Sequence, residues 1–163
     1  MASVLRNLVE IVGIADTFPT APTNFTQIAV METFKLPIAK PDIEQIIKVT
    51  IDTIIISTTV VATPTGTGVG GSILTGAKLI VEGKLRQKVE YVANEPTQSV
   101  HAAEFEMPFS TFVVITRPVL PITPQLALKY PVEAFIEDVY IKQVDARTIF
   151  KNVTVFLNVT LLP

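Results

Sequence analysis

The chain has 163 residues, a formal net charge of -2, 17% charged and 48% hydrophobic residues, and no cysteine. That length supports one substantial core, alone or with a small appendage. The charge balance leaves no positive excess for a run of phosphates, so no nucleic acid partner is expected, and the absence of cysteine excludes disulfides and thiolate metal sites.

Mean hydropathy is positive, which predicts a surface that is unusually apolar or covered by another subunit. The first segment, Val4–Ala15, is interrupted by Arg6, Asn7 and Glu10. It is too short to cross a bilayer and lacks the unbroken core of a secretory signal, so no transmembrane segment is expected there. Its apolar residues Val4, Leu5, Leu8, Val9 and Val12 fit one side of a short amphipathic helix or the anchors of an extended arm. With the Pro/Thr-rich connection Pro19–Thr26, this predicts an N-terminal arm and linker over residues 1–26, ahead of one domain over 27–163.

Pro41–Lys48 is predicted as a short helix, with Asp42 as its cap and Gln45 at the third helical position. Val49–Thr63 is rich in Ile, Val and Thr and predicts a strand partly buried on both faces. The Gly-rich segment Pro64–Gly71 has neither the Lys-Ser/Thr pair nor the following helix of a phosphate loop, and is expected to be a turn. Ala77–Tyr91 then alternates, with Ala77, Leu79, Val81, Leu85, Val89 and Tyr91 on one side and Lys78, Glu82, Lys84, Arg86, Lys88 and Glu90 on the other. That is a strand with one dry and one charged face. Strand patterning returns over Val100–Ile115, Val132–Val144 and Ile149–Leu162, with prolines at 118, 121, 124 and 131 before the last two. The expected fold is all-β, an antiparallel β-sandwich with one short helix and an N-terminal arm or helix.

No segment unites a nucleophile, a base and an electrophile. His101 is the sole histidine, and strand alternation puts Glu104 and Glu106 on the opposite face, so no catalytic or metal site is expected around it. Ser57, Ser72, Ser99 and Ser110 lack a nucleophile-elbow context. Lys84, Arg86 and Lys88 form a basic stripe bracketed by Glu82 and Glu90, a pattern that keeps a sheet soluble. Glu137, Asp138 and Asp145 lack regular calcium-ligand spacing. Asp138 and Arg147 are predicted to pair across a hairpin. No cofactor is implied, and the chain is not expected to be an enzyme.

Several segments carry a resemblance: Lys40 to Ile46, Val81-Glu82-Gly83, Val89 to Ala93, Glu104 to Ser110, Ile136 to Tyr140 and Arg147 to Val153. Together, over about Phe34 to Val159, they resemble the SPOCS domain of endospore-forming bacteria. The resemblance implies an assembly role in the spore coat, envelope or spore surface, with copies of the chain itself and other spore coat proteins as partners. Some members add a peptidoglycan-binding LysM module, which is not expected after Pro163. One expected route to self-association is donation of Met1–Ala15 to a neighbouring sheet edge. The alternative is a monomeric adaptor for another spore morphogenesis protein.

Overall fold

The longest alternating runs become the longest strands. In the computed structural model, which describes residues 2–6, 8–71 and 73–163, β1 (Ala2–Arg6), β2 (Val9–Ile14) and β3 (Asn24–Lys35) precede a long hairpin of β4 (Ile43–Thr67) and β5 (Ile73–Ala93). The hairpin turns through the Gly-rich segment, where Gly70 and Gly71 take φ of 88° and 89°, values that side chains with a Cβ disfavour. β6 (Val100–Val114) adds antiparallel to β5. A short 3-10 helix, Pro124–Lys129, leads to the hairpin of β7 (Val132–Gln143) and β8 (Thr148–Val159).

The strands form one sheet in the order β3-β8-β7-β2-β4-β5-β6, with β1 paired to β2. Two antiparallel wings, β3-β8-β7 and β4-β5-β6, turn their apolar faces into a common core. The predicted alternation of β5 is observed, and its six named apolar residues are each at most 1% exposed. On β8, Val153, Val155, Leu157 and Val159 are buried, whereas Leu161 lies past the strand and is exposed. Each such large aliphatic side chain contributes about 1.5–3 kcal/mol of burial.

The sheet is mixed, which corrects the expectation of purely antiparallel pairing in two separate sheets. β2 is the cause. It runs parallel to β4 through Glu10–Val12 against Lys48–Thr50, and meets β7 where Ile14 stands opposite Ile136. The N-terminal segment is therefore a hairpin, neither helix nor free arm. Val9, Ile11 and Gly13 recur with period two and point inward, as a strand requires. Gly13 has φ 127°, and a Cβ there would overlap the Ile51 carbonyl oxygen.

Pro41–Lys48 is likewise no helix. Ile43 and Ile46 pair opposite Ala93 and Tyr91 in the β4–β5 ladder. The Asp42 carboxylate accepts from Arg147, and the Gln45 amide donates to the Ile46 carbonyl. Burial of the two isoleucines in the core outweighs the local capping signal.

Candidate functional site

With strands paired as above, the features that bear on binding are sheet edges, exposed apolar residues and side-chain clusters. Of the N-terminal residues, Leu5 and Leu8 are 72% and 76% exposed, while Val9 is buried and Val12 partly so. Val4 lies in β1, with its side chain outside the described residues, as Met1 and Ser72 also are. β1 pairs with β2 from Ala2 opposite Ile14 to Arg6 opposite Val9.

The basic stripe of β5 is neutralised within its own wing. The Arg86 guanidinium donates to both oxygens of Asp52, at 3.3 and 2.8 Å, from the neighbouring strand β4. Lys84 donates to both oxygens of Glu106 at 3.0 Å, from β6 on the other side. These cross-strand pairs fix register and leave little net field for an acidic partner.

His101 faces inward, opposite in parity to Glu104 and Glu106, as its strand period requires. The structure does bring it to Ser99 and Glu95, residues that sequence spacing did not unite. Ser99 Oγ lies 3.0 Å from His101 Nε2 and donates to Glu95 Oε1. Glu95 Oε1 is also 3.5 Å from the same Nε2. A nucleophilic triad needs the carboxylate on the far nitrogen of the ring. Here the acid accepts a hydrogen bond directly from the hydroxyl, so the three side chains staple the β5–β6 turn. The Ser99 hydrogen bond, more than the nearby histidine, holds the Glu95 carboxyl below the usual carboxylate range.

Asp138 and Arg147 do not pair. The hairpin register sets Asp138 opposite Thr154, far along the ladder from the Gln143–Ile149 end beside which Arg147 sits. Arg147 reaches the β3–β4 connection instead. Its Nη1 donates to Asp42 Oδ1 at 2.7 Å and to the Lys40 carbonyl at 3.0 Å, and its Nη2 donates to the Pro37 carbonyl at 2.9 Å. Tyr91 is fully buried and donates its hydroxyl to the adjacent Pro41 carbonyl at 2.8 Å. Burial pushes the Tyr91 hydroxyl above its ordinary pKa. Among the described residues, no three His, Cys, Asp or Glu side chains group as a metal site.

Two features escaped the sequence reading. Lys151 has the inward parity of Val153 and Val155 and is 1% exposed. The other is the edge of β4. β2 covers it only at Lys48–Thr50, and among the described residues no backbone hydrogen bond joins 52–67 to any strand but β5. No charged residue lies between Asp52 and Lys78. That gap was legible in the sequence as an uncharged, β-branched run, but nothing local told that one side of the strand would have no hydrogen-bonded strand beside it.

No curated protein and no solved structure matches the chain. The family model described as "SipL, SPOCS domain" matches residues 42–144, more than half of the chain and the portion that builds β4, β5, β6 and β7. No helix among the described residues is long and apolar enough to cross a membrane. The chain belongs to the SipL, SPOCS domain family, and is thus a sporulation-related protein.

Proposed function

We propose that the chain is a non-enzymatic, self-associating structural protein of the bacterial spore coat, envelope or spore surface. The observation that carries this reading is the set of one-sided strands: among the described residues β1, β3 and β6 each pair on one side only, and β2 pairs with β4 only at Lys48–Thr50. Unpaired strand edges are templates for adding another chain. Exposed Leu5, Leu8, Ile56, Phe112 and Val114 lie on these same strands or at the β1–β2 turn, and supply apolar contact beside the edges.

Exchange of all of Met1–Ala15 would take Val9 and Ile11 out of the core, so the N-terminal contribution is assigned to the outer edge of β1 with Leu5 and Leu8. Light scattering across protein concentration, with negative-stain electron microscopy, tests the reading. Growing mass and regular particles are expected; a featureless monomer at every concentration overturns it.

A second reading, a monomeric adaptor for another spore morphogenesis protein, is favoured by a separate surface. Val119, Leu120 and Leu128, in the β6–β7 connection, are 40%, 71% and 80% exposed. A monomer that gains mass only on adding a second spore protein supports it.

A further inference from the structure

The two wings meet at one end of the molecule, where β3 begins, β8 ends and β6 runs out. Asn24, the first residue of β3, closes that junction. Its Oδ1 accepts from the Thr116 backbone N–H at 2.8 Å and from the Thr116 hydroxyl at 3.0 Å, just past the end of β6. A backbone N–H only donates, so this contact settles which end of the Asn24 amide is the oxygen. Asn24 is 8% exposed. Its Nδ2 meets no acceptor among the described residues, and yet it is not sealed from solvent. The space open to it is a cleft of about 1050 Å³, which Asn24 lines together with Thr23, Thr116, Arg117, Asn158 and Leu161.

This cleft offers donors and lacks acids. Arg117 is its one charged lining residue, is exposed, and has no ion pair or side-chain hydrogen bond among the described residues. By contrast, Arg86 and Arg147 each hold an aspartate. Thr116 is bonded to Asn24 and directly precedes Arg117, so the free guanidinium and the half-used amide stand beside each other. A guanidinium is a planar fork that matches a carboxylate, and a single one suits a single negative charge. A run of phosphates would need several cations.

The size of the cleft shows what the carboxylate is attached to. Ligand clefts span about 300–1,000 Å³, so this one has room for a body much larger than the anion itself. One wall is the connection Pro19–Thr23, where no described backbone group takes part in a backbone hydrogen bond. Those groups are available to the amides of a peptide. A sugar finds no ring to stack on, because the one aromatic lining residue, Tyr130, is 1% exposed. We propose that this cleft binds a short peptide through one carboxylate, held by the Arg117 guanidinium and the Asn24 amide N–H. The carboxylate is that of an acidic side chain or of a chain terminus. The proposal needs only the folded chain and stands apart from self-association.

Titration of the nitrogen-15-labelled full-length chain, followed by NMR, tests it with two peptides. One is Ac-Ala-Ala-Glu-Ala-Ala-NH2, compared with its Gln counterpart; the other is acetylated penta-alanine with a free C-terminus, compared with its amide. Saturable shifts of the Asn24 side-chain NH2 and of the Thr116 and Arg117 amides are expected with at least one charged peptide, and which one binds tells side chain from terminus. Its uncharged counterpart is expected to bind about tenfold or more weakly. The same loss is expected for the charged peptide with R117Q, whose exposed position leaves the melting temperature nearly unchanged. Absence of shifts with both charged peptides at about 5 mM overturns the proposal. So does equal binding of charged and uncharged peptides, or binding to R117Q as tight as to wild type. Sodium acetate bound as tightly as the peptide overturns the peptide assignment.

Discussion

Glu32 and Lys151 stand directly opposite each other across the β3–β8 ladder, and Lys151 Nζ donates to Glu32 Oε2 at 3.1 Å inside the core. Gln87, from the opposing wing, donates to the same oxygen at 3.2 Å, and Lys151 lies 4.9 Å from the Phe34 ring centre. Burial pulls the Lys151 ammonium below its ordinary pKa, and Glu32 works against that fall. The Gln87 hydrogen bond thus ties this ion pair to the opposing wing, at a point where sequence patterning calls for an aliphatic residue.

Removing one partner strands the other. Glu32→Gln leaves the Lys151 charge buried and unpaired, and is expected to cost about 3–5 kcal/mol. Lys151→Met with Glu32→Leu removes both charges and is expected to be near neutral or stabilising. Urea unfolding of the two variants checks this; equal losses in both would show that the pair acts through packing alone.

Arg147 should matter more than its acid. Arg147→Ala deprives two carbonyls and Asp42 of their donor, for an expected loss of about 1–3 kcal/mol. Asp42→Ala removes only a half-exposed ion pair, for less than about 1 kcal/mol. Denaturation midpoints that rank the variants the other way would contradict the clamp.

Gly83 is required for space. A Cβ there would lie 2.6 Å from Phe109 Cζ and 2.8 Å from the Ile54 carbonyl oxygen. Phe109 can move, but the β4 backbone cannot follow without loss of the ladder. Gly83→Ala is expected to destabilise by about 1–3 kcal/mol, and adding Phe109→Leu should recover only part of that in thermal unfolding.

Glu95 gives the β5–β6 turn a dependence on acid. Its carboxyl titrates lower in the folded chain than an ordinary glutamate value, chiefly through the Ser99 hydrogen bond. Its stabilisation is therefore complete above that value and is lost as pH falls through the lower, folded pKa. Asp145 follows the same sign, held down first by the Arg147 backbone N–H. Glu95→Gln should flatten the acid limb of melting temperature against pH while leaving the neutral region nearly unchanged.

Leu5→Ser with Leu8→Ser should alter stability by less than about 0.5 kcal/mol, because both side chains are exposed. Self-association that weakens in this variant assigns the N-terminal hairpin a contact; unchanged assembly in light scattering removes it from the interface.

Much of the strand content was legible because alternation is a local property. β5 and β6 present the faces that their period predicts, so His101 could be separated from Glu104 and Glu106 before any tertiary contact was known. The Gly-rich turn was readable for the same reason. The segment at Pro41–Lys48 misled because Asp42 and Gln45 have the spacing of a cap, while the pairing that overrules it comes from residues near Tyr91. The Ser99–His101–Glu95 staple was hidden by the fold of a turn, and the Arg147 clamp by two connections that meet only in space.

The amino-acid sequence by itself determined an all-β chain with long half-dry strands, a Gly-rich hairpin turn, a weak net charge and membership of a sporulation family, since these follow from short periods, turn chemistry and ordered motifs. Only the tertiary structure decided that β2 enters the sheet in parallel, that Lys151 faces the core against Glu32, and that β2 pairs with β4 only as far as Thr50. Each of these depends on which strand lies beside which. That choice is governed by non-local burial and backbone pairing, and an edge has no signature in a strand until its neighbours are placed.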